Sequence, residues 1–341
     1  MRKARPSRTL LRVLPLLALA LPFVVGNEYQ LHVLTLIGIY WVLIAGLNLV
    51  VGYAGQLSVG HVGLLALGAY TLCILTARAG LDPLWGLALG GALGGLCGLA
   101  LGLPSLRLPG FYFAMATLAF SMIVTELLVA QNTLTGGGAG MTAPMFNAPF
   151  DTPGGFFTLV ALCALLVTWL SWNVTRRLWG KGLVALRDSE VAAAAVGIPV
   201  FRLKLAAFTF SGVTAGVAGG LFASLQGYIT PEAFMFELGM FFFICIVIGG
   251  NGSIVGPFFG TVMLTLLPEV AAPLAKMGNL LYGLLLLVAV LLVPRGFGAL
   301  MARWTERHRG RRQAPPVAPD RARLSRALLD MHNGNDGEAR P

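Results

Sequence analysis

The chain has 341 residues, 57% hydrophobic and only 11% charged, with a net charge of +10. Soluble domains carry about 25% charged residues, so this composition excludes an ordinary soluble globular protein and predicts a polytopic membrane protein. The positive balance is best explained by basic residues stacked on one side of a bilayer, not by a nucleic-acid partner.

A membrane span needs about 20 apolar residues. Ten segments read as spans: 10–25, 31–51, 61–78, 84–103, 111–130, 156–173, 205–225, 237–250, 254–270 and 279–293. The first follows Arg2, Lys3, Arg5 and Arg8 and carries small residues at Ala18 and Ala20, as a signal peptide does; its length favours a retained span. The eighth is short and reads as a broken or half-spanning segment. Cys73, Cys97, Cys163 and Cys245 all lie in apolar stretches without a CxxC pair and read as packing residues, with no metal site and no disulfide.

Between the second and third spans lies GYAGQLSVG (52–60), with Gly52, Gly55 and Gly60, polar Gln56 and Ser58, and then His61. Non-helical backbone at membrane depth survives only where protein or water lines it. The fifth span carries Thr117, Ser121, Thr125 and Glu126 on adjacent helical turns. It leads into the long loop 131–155, which has no basic residue and reads as an irregular external loop able to contact an outside partner.

The long polar interruption follows at 173–204, with Arg176, Arg177, Lys181, Arg187, Arg202 and Lys204 against Asp188 and Glu190. A short helix is predicted inside it. Asp188 or Ser189 caps it, Glu190 occupies the first turn, Val191–Val196 favours helix, Gly197 stops it and Pro199 prevents resumption. Two readings stand side by side: a docking knob for a partner, or a solvated loop whose charges set topology. A second loop, 226–237, is short and acidic.

A later stretch, GGNGSIVGPFFG (249–260), repeats the glycine-rich pattern between two spans and carries Asn251; the two stretches form a weak internal repeat. Broken segments in corresponding places point to a translocation route; close packing through small residues is the competing explanation for most of the 44 glycines. Gln56, Ser58, His61, Thr117, Ser121 and Asn251 are the candidate path residues. Residues 303–341 read as a basic, disordered cytoplasmic tail after a membrane domain over 1–302.

Charge tests this layout. With the N-terminus, 104–110, 174–204 and the C-terminus on the cytoplasmic face, only Arg78 and Lys276 of the 24 Lys and Arg fall outside. The expected fold class is therefore all-α: a polytopic transmembrane helix bundle of about ten spans with a short cytoplasmic helix, Gly-rich broken segments and both termini in the cytoplasm.

Enzymatic chemistry is not apparent. No G-x-x-x-x-G-K-[ST] loop occurs; Trp179-Gly180-Lys181-Gly182 lacks the upstream Gly and the following Ser or Thr. The histidines (His32, His61, His308, His332) are too scattered for a metal site, no catalytic residue is assigned and no cofactor is expected. Ion-coupled carriers need titratable groups inside the membrane, and the span interiors are nearly free of them. A pore driven by another protein fits better.

The strings GLNLVVGYAGQLSVGHVGLLALGAY (46–70), LRLPGFYFAMATLAF (106–120), LTGGGAGM (134–141), ALRDSEVAAAAVGIPVFRLKLAAFTFSGVTAGVAGGLFA (185–223) and IGGNGSIVGPFFGTVML (248–264) resemble the membrane permease subunits of bacterial branched-chain amino acid ABC importers, more closely the larger of the two paralogous permeases. The resemblance implies an inner-membrane permease forming a path for Leu, Ile and Val. Related permeases carry urea or other small polar solutes. It implies as partners a second paralogous permease in a heterodimer, two cytoplasmic ATPase subunits and a periplasmic solute-binding protein. The 183–199 segment matches the family's coupling helix, and Arg187, Asp188, Glu190, Ala193 and Gly197 fall on its motif. Members commonly carry a second acid where this chain has Ala194.

Overall fold

The computed structural model describes residues 27–104, 108, 110–250 and 252–271. The predicted spans 10–25 and 279–293, the tail 303–341 and Asn251 lie outside these residues.

Helices open where capping chemistry is written into the sequence. In α1 (Glu28–Asn48), the Asn27 side chain accepts from Tyr29 N–H. In α3 (Pro83–Gly102), Asp82 accepts from Leu84 N–H with Pro83 in the first turn, and in α6 (Pro153–Arg176), Thr152 and Pro153 repeat that device. Between them run α2 (His61–Ala79) and α4 (Gly110–Ala130). After α6 come α7 (Leu178–Asp188), α8 (Glu190–Ala195), α9 (Val200–Gln226), α10 (Phe236–Gly249) and α11 (Val255–Ala271).

Among the described residues, seven helices are long and apolar enough to cross a membrane, and Val255–Pro268 is a shorter apolar helix. These eight coincide with the second to ninth predicted spans. α10 itself has 14 residues, about 21 Å at 1.5 Å per residue, and it reaches spanning length only with the 3₁₀ turn Pro231–Phe234 before it, as the 19-residue segment Pro231–Gly249.

α1 is the central post. It packs on α9, α6 and α11, and Ile39, Val42, Leu43 and Ile44 are fully buried. Trp41 Nε1 donates to Thr168 Oγ1 on α6 at 2.8 Å. Tyr40 sits among the rings of Phe222, Phe241 and Phe242.

The most extensive helix contact joins α3 to α9, and its seam is lined with glycine. A Cβ on Gly94 would strike the Gly212 carbonyl and lie 3.0 Å from Gly216 Cα; one on Gly98 would strike the Phe208 carbonyl and lie 3.0 Å from Gly212 Cα. Without a hydrophobic drive between helices in lipid, such backbone approach supplies the van der Waals attraction. The small-residue explanation therefore accounts for this seam.

Two stretches depart from expectation. Loop 131–155, read as irregular, holds a short helix α5 (Asn132–Thr135), a 3₁₀ turn (Gly137–Ala139) and strand β1 (Met141–Thr142). β1 pairs antiparallel with β2 (Tyr228–Ile229), Met141 opposite Ile229. Buried Thr135 donates to the Leu128 carbonyl at 2.6 Å, and Phe146 is 3% exposed, so local hydrogen bonds and one buried ring order what composition alone leaves loose. The polar interruption also holds a helix that was not expected, α7, and α9 begins at Val200 rather than 205. Gly180 and Gly182 hide α7 by propensity; its signal is the buried pair Leu183 and Leu186.

Candidate coupling and translocation site

α8 forms as its sequence demands. Ser189 is extended, and its Oγ accepts from Ala192 N–H at 3.2 Å. At the other end Ile198 N–H reaches the Ala193 carbonyl and Gly197 N–H the Ala194 carbonyl, both at 3.0 Å, with Gly197 at φ +81°. That is a Schellman ending, which a left-handed glycine permits. Val191 and Val196 are 81% and 75% exposed, and the same connection also exposes Leu178, Trp179 and Phe201.

The five residues predicted to engage an ATPase divide. Asp188, Glu190 and Gly197 are exposed, and Ala193 is buried at 3%. Glu190 also has an internal partner. Both its carboxylate oxygens accept from Lys204 Nζ at 2.8 Å, and the Lys204 side chain is 2% exposed. Arg187 is exposed as well, its side chain 32% so, but its head points inward: Nη1 donates to the Gly52 carbonyl at 3.0 Å, and Nε lies 3.6 Å from Asp188 Oδ1.

That contact leads to the first glycine stretch. α1 widens into a π-turn (Leu49–Tyr53), in which Ala54 N–H bonds back to the Leu49 carbonyl and Gln56 N–H to the Val50 carbonyl. Gly55 then takes φ +69°, and irregular backbone runs to the start of α2. The second glycine stretch lies against the first. Asn48 Nδ2 donates to the Ser253 carbonyl at 2.9 Å, and a Cβ on Gly52 would lie 3.4 Å from Gly252 N. The two breaks, far apart in sequence, meet at the end of the bundle that carries α7.

The remaining path candidates fall behind the first break. Ser58 Oγ lies 2.9 Å from His61 Nδ1, and Ser211 Oγ on α9 lies 2.8 Å from His61 Nε2. Thr117 Oγ1 accepts from Val59 N–H at 3.2 Å. A Cβ on Gly60 would strike the Thr117 carbonyl, and one on Gly63 would lie 2.9 Å from Ser121 Cα. Ser58, His61, Thr117 and Ser121 are all buried, whereas Gln56 is half-buried. Sequence reasoning missed Asn48, Lys204 and Ser211. Asn48 carried a signal, as the one amide side chain in the 31–51 span.

The family described as "Branched-chain amino acid transport system / permease component" matches residues 29–293. The chain belongs to this family. Among relatives of this permease, the high-affinity branched-chain amino acid transport system permease protein LivM of Escherichia coli (strain K12) is 35% identical over 85% of the chain and 74% of the relative. The fructose import permease protein FrcC of Rhizobium meliloti is 27% identical over 84% of each. The autoinducer 2 import system permease protein LsrC of Yersinia pestis is 26% identical over 58% of the permease and 59% of the relative. No solved structure matches it.

Proposed function

We propose that the permease forms the path of a branched-chain amino acid ABC importer and is worked by ATPase subunits seated on α8. The observation that carries this is α8 itself: a capped helix between two spans whose exposed Val191 and Val196 offer an apolar contact near its two ends. In this reading the full chain has ten spans, adding 10–25 and 279–293, with both termini and the 303–341 tail in the cytoplasm. It pairs with a second paralogous permease in the inner membrane, and a periplasmic binding protein delivers solute to the opposite end.

The two glycine breaks line the inner part of the path. Gln56 and Asn251 supply polar contacts there, and Ser58, His61, Thr117 and Ser121 hold the first break in shape from behind. ATP binding closes the ATPase pair and draws the α8 helices together, and the helices follow as rigid bodies. Leu, Ile and Val are the solutes because LivM is named for them; FrcC, named for fructose, makes solute choice part of the test.

Charge reversal at Glu190 would be a poor probe of docking, since it sets two cations against each other at Lys204. Val191→Asp with Val196→Asp disturbs only exposed positions. Reconstituted with the second permease, ATPases and binding protein, the wild type takes up labelled leucine only with ATP, and the double variant sheds the ATPase and loses uptake. Leucine uptake by the chain alone under a proton or sodium gradient would overturn the reading, as would leucine-independent, fructose-dependent stimulation of the complex.

A further inference from the structure

We infer that Arg187 is a positioning residue that ties the ATPase-facing segment to both glycine breaks, so that displacement of α7 is delivered to the two together. The inference rests on the docking reading of α8 but assigns Arg187 inward, away from the ATPase.

The geometry is a three-way junction. Arg187 is the penultimate residue of α7, two residues before the extended Ser189 that opens α8. Its stem crosses the first break: a Cβ on Gly55 would lie 2.6 Å from Arg187 Cγ. Its head donates to the Gly52 carbonyl at 3.0 Å. Beyond it lies the second break, where a Cβ on Gly252 would be 2.8 Å from Nη1. Glycine at 55 and 252 therefore does more than supply φ of +69° and +81°. It leaves room for the guanidinium between the two strands of backbone.

The Gly52 carbonyl also needs a donor. The π-turn sends Gln56 N–H to the Val50 carbonyl, so the helical ladder passes Gly52 by. Gly52 is buried, a buried backbone carbonyl needs a partner, and a charged donor makes a bond roughly twice as strong as a neutral one. Arg is suited because its planar, always-charged fork spans a gap that the point charge of Lys cannot. Asn48, bonded to the Ser253 carbonyl, is a second bridge between the breaks on the α1 side. The breaks are thus joined to each other, and Arg187 joins them to α7.

The test uses the complete transporter with Arg187→Met, Arg187→Lys and, separately, Val191→Asp/Val196→Asp. Arg187→Met retains the ATPase and its ATP hydrolysis, while leucine taken up per ATP falls about tenfold, within the usual 5- to 150-fold range of coupling between sites. Hydrogen exchange rises in peptides covering both 48–60 and 249–256 and is unchanged in α3. Arg187→Lys shows the same pattern with a smaller loss, and carries the test if Arg187→Met does not accumulate. Wild-type uptake per ATP overturns the inference. So does loss of the ATPase in an Arg187 variant, which would make Arg187 a docking contact, or exchange that rises in one break alone. If the Val191/Val196 variant kept both its ATPase and its uptake, the docking reading would fall instead, and the exchange result would still judge the tie.

Discussion

At the start of α9, Lys204 is a cation with a 2%-exposed side chain, and Glu190 reaches back from α8 to cover it. A buried charge is costly to leave without its counterpart, whereas replacing both members is often neutral. Glu190→Gln should therefore lower stability by about 1–3 kcal/mol, between the values for exposed and buried pairs. Glu190→Gln with Lys204→Met should recover part of that loss in thermal melts of the purified protein; strictly additive losses would refute the coupling. The sequence displays both residues in one polar loop, and reading them as loop charges is natural. Burial of Lys204 follows from α9 starting at Val200, a boundary that Pro199 marks but hydropathy does not. His61 was similar. Its position beside a glycine-rich break singled it out, but its partner Ser211 is 150 residues away and no local pattern points to it.

The glycine seam between α3 and α9 governs the elements. Gly94→Ala places a methyl against the Gly212 carbonyl, which cannot move as a side-chain tip can. Overpacking of this kind costs about 1–3 kcal/mol, occasionally more. Gly138→Ala, with nothing within 4 Å of the added carbon, is the control. The melting temperature should fall with the first and stay level with the second; equal behaviour would dismiss the seam as a source of stability. Elements were the most legible level, because long apolar runs and Asp-Pro or Thr-Pro starts are local signals. α7 was illegible because its glycines mask an amphipathic pattern only two leucines long, and the β1–β2 ladder because it depends on two loops meeting.

Over the whole molecule, the described loops sort by end. Arg187 of the basic connection meets Gly52, while at the far end Asn147 donates to Asp82 at 2.6 Å and β1 meets β2. In the proposed reading, the positive-inside bias puts the Arg187 end in the cytoplasm. On intact cells, a membrane-impermeant maleimide should label Asp151→Cys, and Val196→Cys only after permeabilisation; the reverse would invert the orientation. What charge leaves undetermined is how the two breaks come together, since that depends on a single arginine choosing an inward rotamer. The α3–α9 seam has a mechanical consequence. Where main chain lies on main chain, no rotamers exist to be exchanged, so the two helices must travel as one slab. Opening and closing are left to hinges at its margins.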